Sequence, residues 1–259
     1  MKTKESWTRL LFIFGLYACQ THTPKLSAKL IETAPPQLSS GAASWRLLET
    51  QFRELRAKAP GYSRTKFLLA SAQQKIEEGA WDLAEVITDE VLRSPHPEEQ
   101  KQAWNLKAIL AYKKHKPYQA EKAWQNALEI DPADLLMKRN LGYFYLNYAQ
   151  FSKVETLYEE EPQDYHVQLQ LLIAKRNLED SKEVDARCEA MLKKYPEDKY
   201  VLYNCALHEF QNNQHAQRAE ELLDQALAVV KEEDPMRKEI QDKWKEVRDG
   251  VPQRQELEK

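Results

Sequence analysis

Residues 102–132, QAWNLKAILAYKKHKPYQAEKAWQNALEIDP, decide how this chain folds. Trp104 and Ala108 stand in a first helix-forming run, and Ala120, Trp124 and Ala127 in a second, with Pro132 just beyond it. Small side chains at Ala108 and Ala120 let two antiparallel helices cross closely. Trp124 fills the space between them, and Pro132 stops the second helix. The next stretch, RNLGYFYLNYAQF (139–151), supplies Leu141, Gly142 and Tyr145. Gly142 lies 34 residues after Ala108, and Tyr158 lies 34 after Trp124. A helix pair that recurs at a fixed period predicts a stacked array, because one pair alone cannot bury its apolar face.

In residue type and offset these units resemble the tetratricopeptide repeat, with Lys107 and Ala111 departing from the leucine and tyrosine the family prefers. Weaker copies flank them. Ala72, Trp81 and Ala84 mark one over 65–100, and Leu171 and Pro196 bracket another over 165–198. YNCALHEFQNNQHAQRAEELLDQALAV (203–229) gives Cys205, Ala206, Phe210, Ala219 and Ala226 for 199–232. Glu161 and Pro162 cut short the unit at 135–164. The resemblance covers most of residues 65–232 and implies an all-α protein, a right-handed α-solenoid of about five helix pairs (65–100, 101–134, 135–164, 165–198 and 199–232). Ahead of it, Trp45, Leu48, Phe52 and Leu55 share one face of a helix within 44–64 that Pro60 and Gly61 stop. Helices are then predicted from about Ser63 to Glu78 and from Asp82 to Leu92. After Pro235 a capping helix over 233–250 is expected, polar around most of its circumference, with Trp244 turned inward beside Ile240 and Val247. Residues 251–259 form a tail.

The first nineteen residues, MKTKESWTRLLFIFGLYAC, resemble a bacterial lipoprotein signal peptide. Lys2, Lys4 and Arg9 make a cationic start, the apolar run Leu10 to Leu16 is too short to span a bilayer, and Leu16-Tyr17-Ala18-Cys19 looks like a lipobox. The resemblance implies removal of residues 1–18 and lipidation of Cys19 by diacylglycerol and a further acyl chain such as palmitate. Each buried methylene contributes about 0.8 kcal/mol, so two or three chains hold a protein on a membrane. Residues 19–43, rich in Thr, Ser, Pro and Ala, read as a flexible tether, with docking of Leu26, Leu30 and Ile31 as a short helix the alternative. Gln20 after the cysteine favours the outer membrane, facing the periplasm, with the inner membrane and the cell surface left open.

Loss of Lys2, Lys4, Glu5 and Arg9 takes the net charge from −3 to −5, which recommends no nucleic-acid partner. Apolar content of 42% suffices for a core, and six glycines leave little material for phosphate-cradling loops. Of the three cysteines, Cys188 and Cys205 match no zinc spacing. They read as buried thiols, with a disulfide between adjacent helices as the alternative.

No catalytic constellation is present: there is no HExxH, GxSxG, Walker loop or zinc CxxC. Cys205 with His208 and Glu209 is the one nucleophile candidate, and Cys205 at a core position argues against it. His115, His166 and His215 read as solvated. No catalytic residue, metal, cofactor or small-molecule substrate is therefore expected.

Function is expected on the groove lined by the first helix of each repeat. Projecting the family's groove positions gives Asn105, Ile109, Tyr112, Arg139, Asn140, Tyr143, Asn147, Leu169, Ile173, Arg176, Tyr203, Asn204, Leu207 and Phe210. This aromatic and apolar set, with two arginines and several amides, suits a peptide or helix of another protein. Arg139 and Tyr143 replace the lysine and asparagine of the family's carboxylate clamp, so a C-terminal acid is not the expected ligand. Lipoproteins of this design are similar to pilotins of type IV pilus secretins and to repeat lipoproteins of gliding-motility complexes. The expectation is a non-enzymatic, membrane-anchored scaffold that docks a protein of the envelope. The alternative is an accessory that tethers or regulates peptidoglycan enzymes, or one serving outer-membrane β-barrel assembly.

Overall fold

The computed structural model describes residues 41–160, 163–178, 181–211 and 215–250; the lipobox and Cys19 lie outside them. The described residues are helix and turn throughout, without a strand. The chain is all-α. Its compact units divide between Leu141 and Gly142.

In the first unit, α1 (Gly41–Lys58) buries Leu48, Phe52 and Leu55. Phe52 meets Phe67 of α2 (Arg64–Glu77) with ring centroids 5.5 Å apart. Ser63 caps α2 by accepting from the Lys66 amide. Then follow α3 (Trp81–Val91), α4 (Pro97–Lys113) and α5 (Pro117–Ile130), with α6 (Leu135–Asn147) crossing the unit boundary. Proline opens both α4 and α5, where its missing N–H costs nothing. α2 packs on α3, α3 on α4 and α4 on α5, and α2 also touches α4. Ala72, Ala84, Ala108, Ala120 and Ala127 have no exposed surface, as expected of small residues where helices cross.

The second unit continues with α7 (Phe151–Leu157), α8 (Tyr165–Asn177), α9 (Ser181–Lys194), α10 (Lys199–Gln211), α11 (Ala216–Val229) and α12 (Pro235–Gly250). α7 has 7 residues where α5 has 14. Each helix from α7 to α12 packs on the next, and α8 also touches α10. α12 buries Met236, Ile240 and Val247, while Trp244 is half-buried and Arg248 stacks on its ring at 4.9 Å.

Two backbone devices recur along the chain. α2, α4 and α6 each run into a residue of positive φ, namely Gly79 (77°), His115 (56°) and Ala149 (54°). The amide after each reaches back five residues, Ala80 to Lys75, Lys116 to Ala111 and Gln150 to Tyr145, which closes the helix end. Only the first is a glycine, so His115 and Ala149 carry the left-handed strain that a Cβ brings. The second device is an aspartate ahead of α6, α8, α10 and α12. Asp134, Asp164, Asp198 and Asp234 accept from the amides of Met137, of His166 and Val167, of Tyr200 and Val201, and of Met236. Three of these caps are also gripped from an earlier helix. Lys101 Nζ reaches Asp134 at 2.6 Å, the Tyr165 hydroxyl donates to Asp198 at 2.9 Å, and Lys199 pairs with Asp234.

Cys188 and Cys205 are bonded to each other, which corrects the reading of them as free buried thiols. The reason is register. His208 Nε2 meets Asp185 Oδ1 at 2.7 Å, so stepping one turn along α9 in one direction and α10 in the other brings the cysteines opposite each other. The two helices are antiparallel neighbours.

Candidate binding surface

The groove positions fare unevenly. On α4, Asn105 and Ile109 are buried and Tyr112 is half-buried; on α6, Asn140 and Tyr143 are buried, while Arg139 and Asn147 keep partial exposure. On α8, Leu169, Ile173 and Arg176 are buried; on α10, Tyr203, Asn204 and Leu207 are buried and Phe210 is half-exposed. Their reading as an open lining is thus corrected for the buried ten: they belong to the core, with Asn105 also bordering a cleft. The cause lies in the helices that carry them. Residues 201–208 of α10 are buried in one uninterrupted run, and a helix without a polar face is one that is enclosed.

Burial forces the polar members of the set to find partners. In the first unit, Asn105 Oδ1 accepts from Trp124 Nε1 at 3.0 Å and from Asn140 Nδ2 at 2.9 Å. In the second unit the Tyr158 hydroxyl donates to Gln170 Oε1 at 2.6 Å. A Cβ on Gly142 would meet that oxygen at 2.0 Å and the hydroxyl at 2.7 Å, so a larger residue there would displace the Tyr158–Gln170 bond. The Tyr143 hydroxyl bonds His166 Nδ1 at 3.0 Å, and Asn204 Nδ2 donates to the Tyr200 carbonyl. His166 is therefore half-buried and engaged, in correction of its reading as solvated; His115 and His215 are exposed.

Arg176 and Tyr203 come together in the second unit, joined by Glu239 from α12. Tyr203 donates to Glu239 Oε1 at 3.1 Å. Burial pulls the Arg176 guanidinium down to about 10, partly offset by Tyr203. Burial pushes the Glu239 carboxyl up to about 7 against the opposing effect of that hydrogen bond. Sequence reasoning did not include Glu239 in this group.

An open hollow remains in the first unit. A cleft of about 360 Å³ lies between α4 and the start of α6, with Asn105 and Arg139 beside Leu106, Leu136 and Met137. Lys101 stands in its wall, bonded to Asp134 at 2.6 Å, Glu98 at 2.8 Å and Asp131 at 3.0 Å. Desolvation alone would lower its pKa, yet the three carboxylates overcome it and hold the ammonium above the ordinary lysine value. The sequence signal that was missed is the aspartate ahead of α6, which both caps that helix and faces Lys101.

The sulfur of Cys205 is committed to Cys188, so no thiol stands there to serve as a nucleophile. His208 of the same candidate group has no exposed surface. Among the described residues no cluster of histidine, cysteine and carboxylate side chains has the arrangement to hold a metal, and no helix is long and apolar enough to cross a membrane. No protein-family model and no curated protein matches the chain.

Proposed function

We propose that this chain is a membrane-anchored scaffold of the bacterial envelope, built as a right-handed tetratricopeptide-type solenoid with α12 as its cap, and that it docks a protein of an outer-membrane machine. A type IV pilus secretin or a gliding-motility complex is the class of machine intended. Recurrence supports the architecture: positive-φ residues close three helices at 79, 115 and 149, and aspartates open four at 134, 164, 198 and 234. The bonded Cys188 and Cys205 support an oxidising compartment outside the cytoplasm, in line with the lipobox ending at Cys19. The binding role rests on the cleft beside Asn105 and Arg139, a concave, mostly apolar hollow with a few polar groups converging on it.

Two measurements in the source bacterium test the reading. Radiolabelled palmitate is incorporated into the native chain and lost, with release from the membrane fraction, in Cys19→Ala. A photo-reactive residue placed at position 139 crosslinks to a secretin or motility subunit. Unlabelled protein sinks the anchor. Crosslinks to murein hydrolases, synthases or β-barrel assembly subunits move the chain to the alternative role, and the absence of any crosslink removes the cleft as the docking site.

A further inference from the structure

We infer that a second cleft, formed by α3, α4 and α5, docks an acidic segment of a partner protein that carries one aromatic or aliphatic anchor side chain. The hollow measures about 350 Å³, and Trp104, Leu110, Ala111 and Ala123 supply its apolar surface. It lies on the other side of α4 from the cleft at Arg139. Positions 104, 107, 110, 111 and 114 face it whereas 98, 101, 102, 105 and 106 face the first, and at 100° per residue these sets point in nearly opposite directions. The inference goes beyond the scaffold reading and stands without it.

Charge identifies the occupant. Four lysines, Lys107, Lys114, Lys116 and Lys122, line the cleft against a single acid, Glu85. Two of the four are already matched. Lys107 bonds Asp89 at 2.5 Å and sits 5.6 Å above the Trp104 ring, and Lys114 is held by Glu85 at 2.7 Å and Asp82 at 3.2 Å. Lys116 and Lys122 are exposed and have no ion-pair partner among the described residues. Between them in sequence stands Tyr118, 75% exposed, the most exposed of the large apolar side chains described. A chain with net charge −3 thus keeps two uncommitted cations and a tyrosine at the mouth of an apolar hollow. Complementary charge steers and orients an acidic partner, while the hollow takes a side chain that a flat lipid surface does not insert.

The probe is a fluorescein-labelled peptide of glutamates around one central tryptophan, titrated with the full chain and followed by anisotropy. A glutamine counterpart and vesicles of phosphatidylglycerol and phosphatidylcholine serve as controls. The glutamate peptide is expected to bind, weakening as salt rises, and the glutamine peptide at least about tenfold more weakly. Lys116→Glu with Lys122→Glu, or the milder pair Lys116→Gln with Lys122→Gln, cuts binding about tenfold; Tyr118→Ala cuts it severalfold. Arg139→Ala leaves it unchanged, which separates this site from the first cleft. Equal binding of the two peptides, undiminished binding in the lysine variants, or loss in Arg139→Ala overturns the proposal. Vesicle binding through the same lysines without peptide binding gives the surface to lipid and overturns it as well.

Discussion

The two units bury similar helices but tie them together differently. In the first, beside the bonds of Asn105 to Trp124 and Asn140, the ties between successive helices are mostly ionic. Arg64 joins Glu49 at 2.7 Å and Glu90 at 3.4 Å, Lys107 joins Asp89, Lys114 joins Asp82 and Glu85, and Lys101 collects Glu98, Asp131 and Asp134. The second also has ion pairs, such as Lys175 with Glu155 and Glu183 at 2.7 Å each. Its deeper ties, however, are a disulfide and hydrogen bonds of uncharged side chains: Cys188 to Cys205, Tyr158 to Gln170, Tyr143 to His166. Half-exposed ion pairs are individually weak and screened by salt, whereas covalent and buried neutral ties are not. The first unit should therefore yield to ionic strength, the second to reductant and to pH.

The largest separation is expected from the disulfide. Its cysteines are 17 residues apart, and closing a loop of that length in the unfolded chain is worth about 3 kcal/mol. Cys188→Ala with Cys205→Ala, or reduction of the native chain, should accelerate amide exchange in α9 and α10 by about a hundredfold. Exchange in α2 to α4 should stay where it was. Uniform acceleration throughout the chain would show that the contrast between the units is false.

Next comes Lys101, the most enclosed cation among the described residues of the first unit, with 7% of its side chain exposed. Lys101→Met keeps the length and apolar stem but leaves Asp134, itself 15% exposed, without its closest cation. The cost is about 2 kcal/mol, below that of breaking a fully buried pair because Glu98 and Asp131 remain hydrated. Raising salt to about 0.5 M should destabilise the native chain in α4 and α5 and leave the Lys101→Met variant nearly indifferent there. Equal salt sensitivity in the two proteins would remove the network as the main tie.

Much of this was legible in the sequence and part was not, for identifiable reasons. Helix spans follow from apolar period and terminators. The helices expected from about Ser63 to Glu78 and from Asp82 to Leu92 are found at Arg64–Glu77 and Trp81–Val91. Small residues at Ala108, Ala120 and Ala127 are legible because close crossing admits little else. What a period does not reveal is which residue on one helix meets which on another. Asp185 with His208 and Tyr203 with Glu239 are 23 and 36 residues apart, so no local pattern announces them. The groove was misread for a related reason. Apolar residues such as Ile173 and Leu207 stand where the family lines its groove, yet α8 and α10 are enclosed on that side too. An uncharged run like that from Val201 to Leu207 is the signal that points to enclosure.

The smallest effect sharpens the contrast through pH. Glu239 is packed between α10 and α12, where Tyr203 donates to it, Lys243 favours its charge and Asp242 opposes it. Glu246 and the buried Arg176 act on Tyr203 from the same surroundings. Burial holds the folded carboxyl near 7 against an unfolded value of 4.5. Below about pH 4.5 the group is neutral in both states and costs nothing. Between about pH 4.5 and about pH 7 the unfolded chain ionises while the folded one does not, so stability falls, and above about pH 7 the loss levels off. Discounted for partial hydration, that loss is about 1 kcal/mol. Glu239→Gln keeps an acceptor for the Tyr203 hydroxyl and removes the titration. Native protein should therefore lose more melting temperature than this variant between about pH 5 and about pH 8, a window that lies mostly above the range of ordinary carboxylates. Exchange should report the loss in α12 and α10 and not in α2 to α4. Parallel pH profiles for the two proteins would mean that Glu239 is already ionised in its seat, and that the second unit tolerates a buried charge as readily as the first tolerates Lys101.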